Sequence, residues 1–197
     1  MLILPFPGAP FIVQVAKDGE HIRAYLEVDF SDRTLLQSYV RWNAVRAQML
    51  SANLKNPIPV KVTFRSPLSI AEAQTLVDTT GLSLEQTTFV GRNKEGQPYS
   101  GGTLSDGVDS TIRLGALESI WKEEGIKIEG VMVIEGIVSR GDALQMLLRA
   151  PQVYLVDVTA DFALQEVKAA GVIDLQGIVV PSPYWRLYLD WLSGRSE

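Results

Sequence analysis

Two stretches of the chain read as strand, short helix, strand, and each helix carries a signal at both ends. In the first, Val60-Lys61-Val62-Thr63-Phe64 alternates as a half-buried strand does. Pro67-Leu68-Ser69 leads into a helical period in which Ile70, Ala73, Leu76 and Val77 share a face. Ser69 and Glu72 have the spacing of a capping box, in which hydroxyl and carboxylate each satisfy an otherwise unpaired amide. Gly81 stops the helix, because glycine takes the left-handed cap without steric penalty. Leu84 to Val90 is the second strand. In the second stretch, Val131 to Val138 reads as strand, and Ser139 and Asp142 repeat the cap spacing. Leu144, Leu147 and Leu148 form the apolar face, and Ala150-Pro151 ends the helix before the strand Val153 to Val158. Paired units of this kind favour one antiparallel sheet with both helices on one face, the split βαβ arrangement of ferredoxin-like folds. The expected fold is therefore α+β, with this core at residues 60–160.

Residues 1–59 form the first flank and are expected to pack on that core. Phe11 to Ala16 and His21 to Val28 read as a hairpin around Lys17-Asp18-Gly19-Glu20, since Asp-Gly supplies the positive φ of a tight turn. From Asp32 to about Asn53 the period becomes helical, with Leu36, Tyr39, Val40, Ala47 and Leu50 on one face. Ser31 or Asp32 caps its start, and Asn56-Pro57 and Pro59 close it. Within the core, Gly91 to Gly107 reads as a glycine-rich loop, or a loose hairpin around Lys94-Glu95-Gly96. Asp109 to Glu124 then has helical spacing, with Ile112, Ala116, Ile120 and Trp121 on one side and Gly125 as the stop. Residues 161–197 are the second flank. They read as a helix or an extended segment (Asp161 to Gly171), a strand (Val172 to Val180), a break at Pro181-Ser182-Pro183 and a short terminal helix.

Composition excludes several chemistries. The 197 residues suit one domain with an appendage. With 18 basic and 23 acidic residues the net charge is −5, and the basic residues are scattered. Lys61 and Arg65 flank a strand without company, so the basic stripe that duplex binding uses is missing and nucleic acid is not an expected partner. There is no cysteine, and His21 is the one histidine, a solvent-facing strand residue by position. Thiolate zinc sites and multi-histidine metal sites are thereby excluded, and no cofactor is expected. The glycine-rich segment lacks both G-K-[ST] and a strand-to-helix G-x-G-x-x-G. Asp106 at its end and Asp109 just beyond it lack calcium-loop spacing and read as a solvated turn. Ser119 and Lys122 match S-x-x-K, but its companion motifs are absent. The carboxylate pairs Asp157/Asp161 and Glu123/Glu124 read as surface. The apolar N-terminal residues 1–7 are too short and proline-broken to span a bilayer, and no long apolar run follows. A soluble protein is expected, either cytoplasmic or an exported domain that has lost its signal.

The most unusual segment is the terminal one. Tyr184, Trp185, Tyr188, Trp191 and Leu192 fall within nine residues, on what reads as one helix. Such a face docks on its own domain, forms a contact with a second copy or a protein partner, or rests on a membrane surface. These five residues are the candidate interface.

Residues 142–157, DALQMLLRAPQVYLVD, run a short helix into Pro151, Val153, Val156 and Asp157. This resembles the end of subtilisin-propeptide-like inhibitor domains, where a helix runs into P-x-V-x-x-V-[ED] on the last strand. The resemblance implies the same split βαβ fold and a protease-inhibitor role. That family occupies the enzyme cleft with a free tail, whereas here residues 160–197 follow. The chain is accordingly expected to be a non-catalytic binding or protein-interaction module. A protease inhibitor is the first alternative, and an enzyme using carboxylates on an open sheet face the second.

Overall fold

The computed structural model describes residues 2–5, 8–18, 21–105, 110–172 and 175–195. Strands β1 (Leu2–Pro5), β2 (Ile12–Asp18) and β3 (His21–Glu27) form an antiparallel meander. The register runs from Ile12 opposite Glu27 to Asp18 opposite His21, which is the expected hairpin. Gly19 and Glu20 of its turn lie outside the described residues. Helix α1 (Arg33–Asn53) starts where the Asp32 carboxylate accepts from the Thr34 and Leu35 amides, and it buries Leu36, Tyr39, Asn43 and Ala47.

The first strand–helix–strand unit is β4 (Ile58–Leu68), α2 (Ile70–Thr80) and β5 (Ser83–Arg92). The capping box forms as expected: Glu72 N donates to Ser69 Oγ at 3.3 Å and Ser69 N donates to the Glu72 carboxylate at 3.0 Å. Gly81 closes the helix at φ 67°. Because Ser69 is the residue that satisfies this amide, Ser69→Ala is expected to lower stability by about 1 kcal/mol in urea unfolding.

The stretch after β5 is the hairpin of the two alternatives. Asn93 N donates to the Gln97 carbonyl, Gly96 takes φ 81°, and β6 (Pro98–Leu104) runs back along β5. The helix expected from Asp109 is shorter: α3 spans Gly115–Glu123, and Asp109 lies outside the described residues. Gln74 of α2 explains the late start. Its side chain accepts from the Ile112 amide at 2.6 Å and donates to the Ser110 carbonyl at 3.1 Å, so these backbone groups are spent before a helix begins. The buried face of α3 is Leu117 and Trp121, while Ile120 is 53% exposed. Glycines make this packing possible. A Cβ on Gly101 would stand 2.8 Å from Leu117, and one on Gly91 would stand 2.8 Å from the Trp121 ring.

The second unit is β7 (Lys127–Val138), α4 (Gly141–Arg149) and β8 (Val153–Asp157). Its capping box does not form. Arg140 is the N-cap, no side chain caps the helix, and Asp142 pairs instead with Arg140 at 3.0 Å. The helix start is set by tertiary contact, since a Cβ on Gly141 would come within 2.1 Å of the Ser51 carbonyl of α1. Beyond β8 come α5 (Thr159–Ala169), β9 (Leu175–Val179) and α6 (Tyr184–Leu192).

The second sheet has the order β6-β5-β7-β4-β8, antiparallel throughout. Strand β7 separates the two strands of the first unit and β4 separates those of the second. The chain is mixed α+β, and this interleaving is compatible with the expected split βαβ core. Helices α2, α3 and α4 cover one face over Val62, Phe64, Phe89 and Ile134. The C-terminal flank serves both sheets. Strand β9 joins β3 in parallel to complete the four-stranded sheet β1-β2-β3-β9, and α6 lies on the opposite face of the core sheet over Val90, Met132 and Val133.

Candidate functional site

Among the described residues, three positions in the fold gather chemistry-bearing side chains. The first is a buried network between α1 and the end of β8. Tyr39 donates its hydroxyl to Asp157 Oδ2 at 2.6 Å, and the Thr159 amide donates to Asp157 Oδ1 at 2.9 Å. Asn43 Oδ1 accepts from the Val158 amide at 2.9 Å. Burial raises the Asp157 carboxyl above its ordinary value, against the opposing pull of its hydrogen bonds. Burial and the neighbouring Asp157 charge likewise raise the Tyr39 hydroxyl. These groups join helix to strand and are consumed in doing so.

The second is a cleft of about 190 Å³ between the sheets, lined by Lys61, Glu85, Glu135 and Asp157 among others. Here Lys61 Nζ donates to the Val180 carbonyl at 2.7 Å and lies 3.2 Å from Glu135. Its ammonium is already matched by protein oxygen.

The third is a pocket of about 240 Å³ where α1, β4, β8 and α6 meet. Arg33 and Gln37 reach it from the first turns of α1, Arg65 from β4, Tyr154 from β8, Arg186 and Asp190 from α6, and Arg195 from the chain after α6. Four arginines and one aspartate are thus among the described residues that line it. The start of α1 adds the positive end of its backbone dipole. Two of the arginines are held against the pocket wall. Arg65 donates Nε to the Pro151 carbonyl at 3.1 Å and lies over the Tyr154 ring at 5.6 Å. Arg186 donates to the Phe30 and Ser31 carbonyls and approaches Asp190 at 3.8 Å. Arg33 is the first residue of α1, whose start the Asp32 cap sets. Burial raises the Tyr154 hydroxyl above its ordinary value, while the charges of Arg186, Arg65 and Arg33 act in the opposite direction.

The residues expected from the sequence are distributed elsewhere. In α6, Tyr188 is fully buried, and its hydroxyl reaches the Gly91 carbonyl at 2.8 Å and Glu129 Oε2 at 2.6 Å. Tyr184, Trp185, Trp191 and Leu192 pack around it, with Trp191 stacked on Tyr188 at 6.0 Å. The aromatic face is therefore docked on its own sheet. His21 is exposed at the start of β3. Ser119 donates its hydroxyl to the Gly115 carbonyl within α3. Asp106 and Asp109 lie outside the described residues. Asp157 is in the buried network rather than at the surface, Asp161 accepts from Gln165 at 2.8 Å, and Glu123 and Glu124 are exposed. Among the described residues no three His, Asp or Glu side chains converge as a metal requires. Nor is any described helix long and apolar enough to cross a membrane. Pro151 follows α4 and Val153, Val156 and Asp157 lie on β8, buried as strand core.

Sequence reasoning missed the arginine pocket. Its basic members are separated by 32, 121 and 9 positions, so no local pattern joins Arg33, Arg65, Arg186 and Arg195. Arg65, expected to stand without company, has three arginines for neighbours. Compared with known proteins, the chain matches no family model, no curated protein and no solved structure.

Proposed function

We propose that the protein is a non-catalytic binding module whose arginine pocket recognises an anionic group, a carboxylate or a phosphate, on its ligand. One observation carries this reading: in a chain of net charge −5, four arginines line one small concavity in which Asp190 is the acidic residue among those described. Guanidinium presents paired donors in a plane and matches both carboxylate and phosphate oxygens. The 240 Å³ of space suits an ionic head group rather than a large apolar body. Nothing in the pocket acts as a paired nucleophile and base, so the reading is binding rather than turnover.

Calorimetric titration at low ionic strength tests it, with inorganic phosphate and citrate as separate probes. At least one is expected to bind, and the preference between them distinguishes the two chemistries. Arg65→Ala and Arg195→Ala are each expected to weaken binding by about tenfold or more, the worth of a hydrogen bond to a charged group. Both side chains are exposed, so the fold should survive, and circular dichroism checks this. Absence of binding by both anions, or affinity unchanged in both variants, would overturn the proposal.

A further inference from the structure

Four strands lie at sheet edges, namely β1, β9, β6 and β8, and β6 is the longest of them at seven residues. An edge strand presents unpaired backbone amides and carbonyls, and proteins usually blunt it with charge, proline, bulges or brevity. Strand β6 has only Pro98, at its first position. Its sequence, Pro98-Tyr99-Ser100-Gly101-Gly102-Thr103-Leu104, is uncharged, and its pairing with β5 runs without a register shift. Leu104 is 77% exposed and Tyr99 39% exposed.

The bonds at the two ends of the hairpin fix which groups face outward. Asn93 N donates to the Gln97 carbonyl and Ser105 N donates to the Glu85 carbonyl. Residues alternate in an antiparallel ladder, so Tyr99, Gly101 and Thr103 direct their backbone groups to β5. Pro98, Ser100, Gly102 and Leu104 direct theirs outward. Pro98 fits this assignment, since proline belongs where no ladder amide is needed.

We infer that β6 is a homodimer edge, pairing antiparallel with β6 of a second copy about a two-fold axis at Gly101. That axis sets Ser100 against Gly102 of the other copy, and each such pair exchanges both of its backbone hydrogen bonds. Leu104 N donates to the Pro98 carbonyl at each end. Tyr99 faces Thr103, an aromatic and β-branched combination that stabilises cross-strand pairing. The exposed Leu104 packs beside Pro98. A second copy is the occupant the strand fits, because a two-fold interface must be complementary to itself. Here no charge meets its own image, and the glycines beside the axis project nothing into it. The interface stands apart from the anion pocket, which lies near α6, β4 and β8.

Sedimentation of the full chain across a concentration series tests this. A monomer–dimer equilibrium is expected. Ser100→Pro removes an outward amide at a position tolerant of proline, and Leu104→Lys charges the edge; both are expected to yield monomer with unchanged circular dichroism. Hydrogen exchange gives an independent readout. Protection of the Ser100, Gly102 and Leu104 amides is expected to rise with concentration, while Tyr99, Gly101 and Thr103 stay protected throughout. A monomer at the highest soluble concentration, or a dimer that persists in both variants, would overturn the inference. So would a dimer whose outward β6 amides exchange freely, which would locate its contact elsewhere.

Discussion

Tyr188→Ala is expected to destabilise the protein by about 3–5 kcal/mol, the range for removing a large buried aromatic side chain. Tyr188 is the fully buried residue of α6, seated on Val90, Met132 and Val133, with Trp185 and Trp191 against its ring. The variant leaves a hole that a nine-residue helix has little means of closing. Tyr188→Phe keeps the ring and removes the hydroxyl. It is expected to lose about 1–2 kcal/mol, because the Gly91 carbonyl and Glu129 lose one donor while Arg92 still pairs with Glu129. Urea unfolding followed by tryptophan fluorescence reads both variants, since Trp185 and Trp191 report on the docked helix. A loss below about 1 kcal/mol for Tyr188→Ala would mean that the helix lies on the sheet without being held by this residue.

That helix illustrates how much of the fold is legible from the chain. Its existence and aromatic face follow from spacing, but the surface it covers is set by long-range contact. The same division holds elsewhere. Ser69, Glu72 and Gly81 act within one turn of the helix they bound, so their local pattern predicts α2 correctly. Ser139 and Asp142 have the same pattern and fail, because the approach of Gly141 to Ser51 and the reach of Arg140 to Asp142 prevail. The start of α3 was set by Gln74, about 40 residues away in sequence, which no local period encodes. Glycines 91 and 101 look like loop formers in sequence. In the fold they are strand residues whose missing Cβ admits Leu117 and Trp121.

The candidate site was less legible still, for a physical reason. A capping box or a P-loop is a local device, with its residues close in sequence because one turn of backbone carries them. The pocket is built where α1, β4, β8 and α6 meet, and charge accumulates there through topology. Each arginine alone resembles a solvated surface residue. The one sequence signal was negative: an acidic chain has little reason to collect guanidiniums, so their convergence is informative only once the fold is known.

Asp157→Ala is expected to cost about 2 kcal/mol or more, because it strands the buried Thr159 amide and leaves the Tyr39 hydroxyl only Thr159 Oγ1, at 3.0 Å, as a partner. The wild-type side chain should also imprint a pH dependence. Burial raises its carboxyl above the unfolded value of about 4, outweighing the hydrogen bonds from Thr159 and Tyr39 and the charge of Lys61. The native state therefore holds this proton more tightly than the unfolded chain. Its contribution to stability is fully present below the unfolded pKa and diminishes as pH rises through the folded value. Asp29 and Glu72 have lowered values and act in the opposite sense, so the wild-type curve mixes both trends. Asp157→Asn isolates the buried group. It retains an oxygen for the Thr159 amide and no longer titrates, so subtracting its stability from the wild type's cancels the exposed carboxylates. The difference, wild type minus variant, is expected to decline with rising pH above about 4 and then level off. Urea unfolding of both proteins across that range measures it. Parallel curves would mean that Asp157 ionises alike in the folded and unfolded chain, contrary to its burial between α1 and β8.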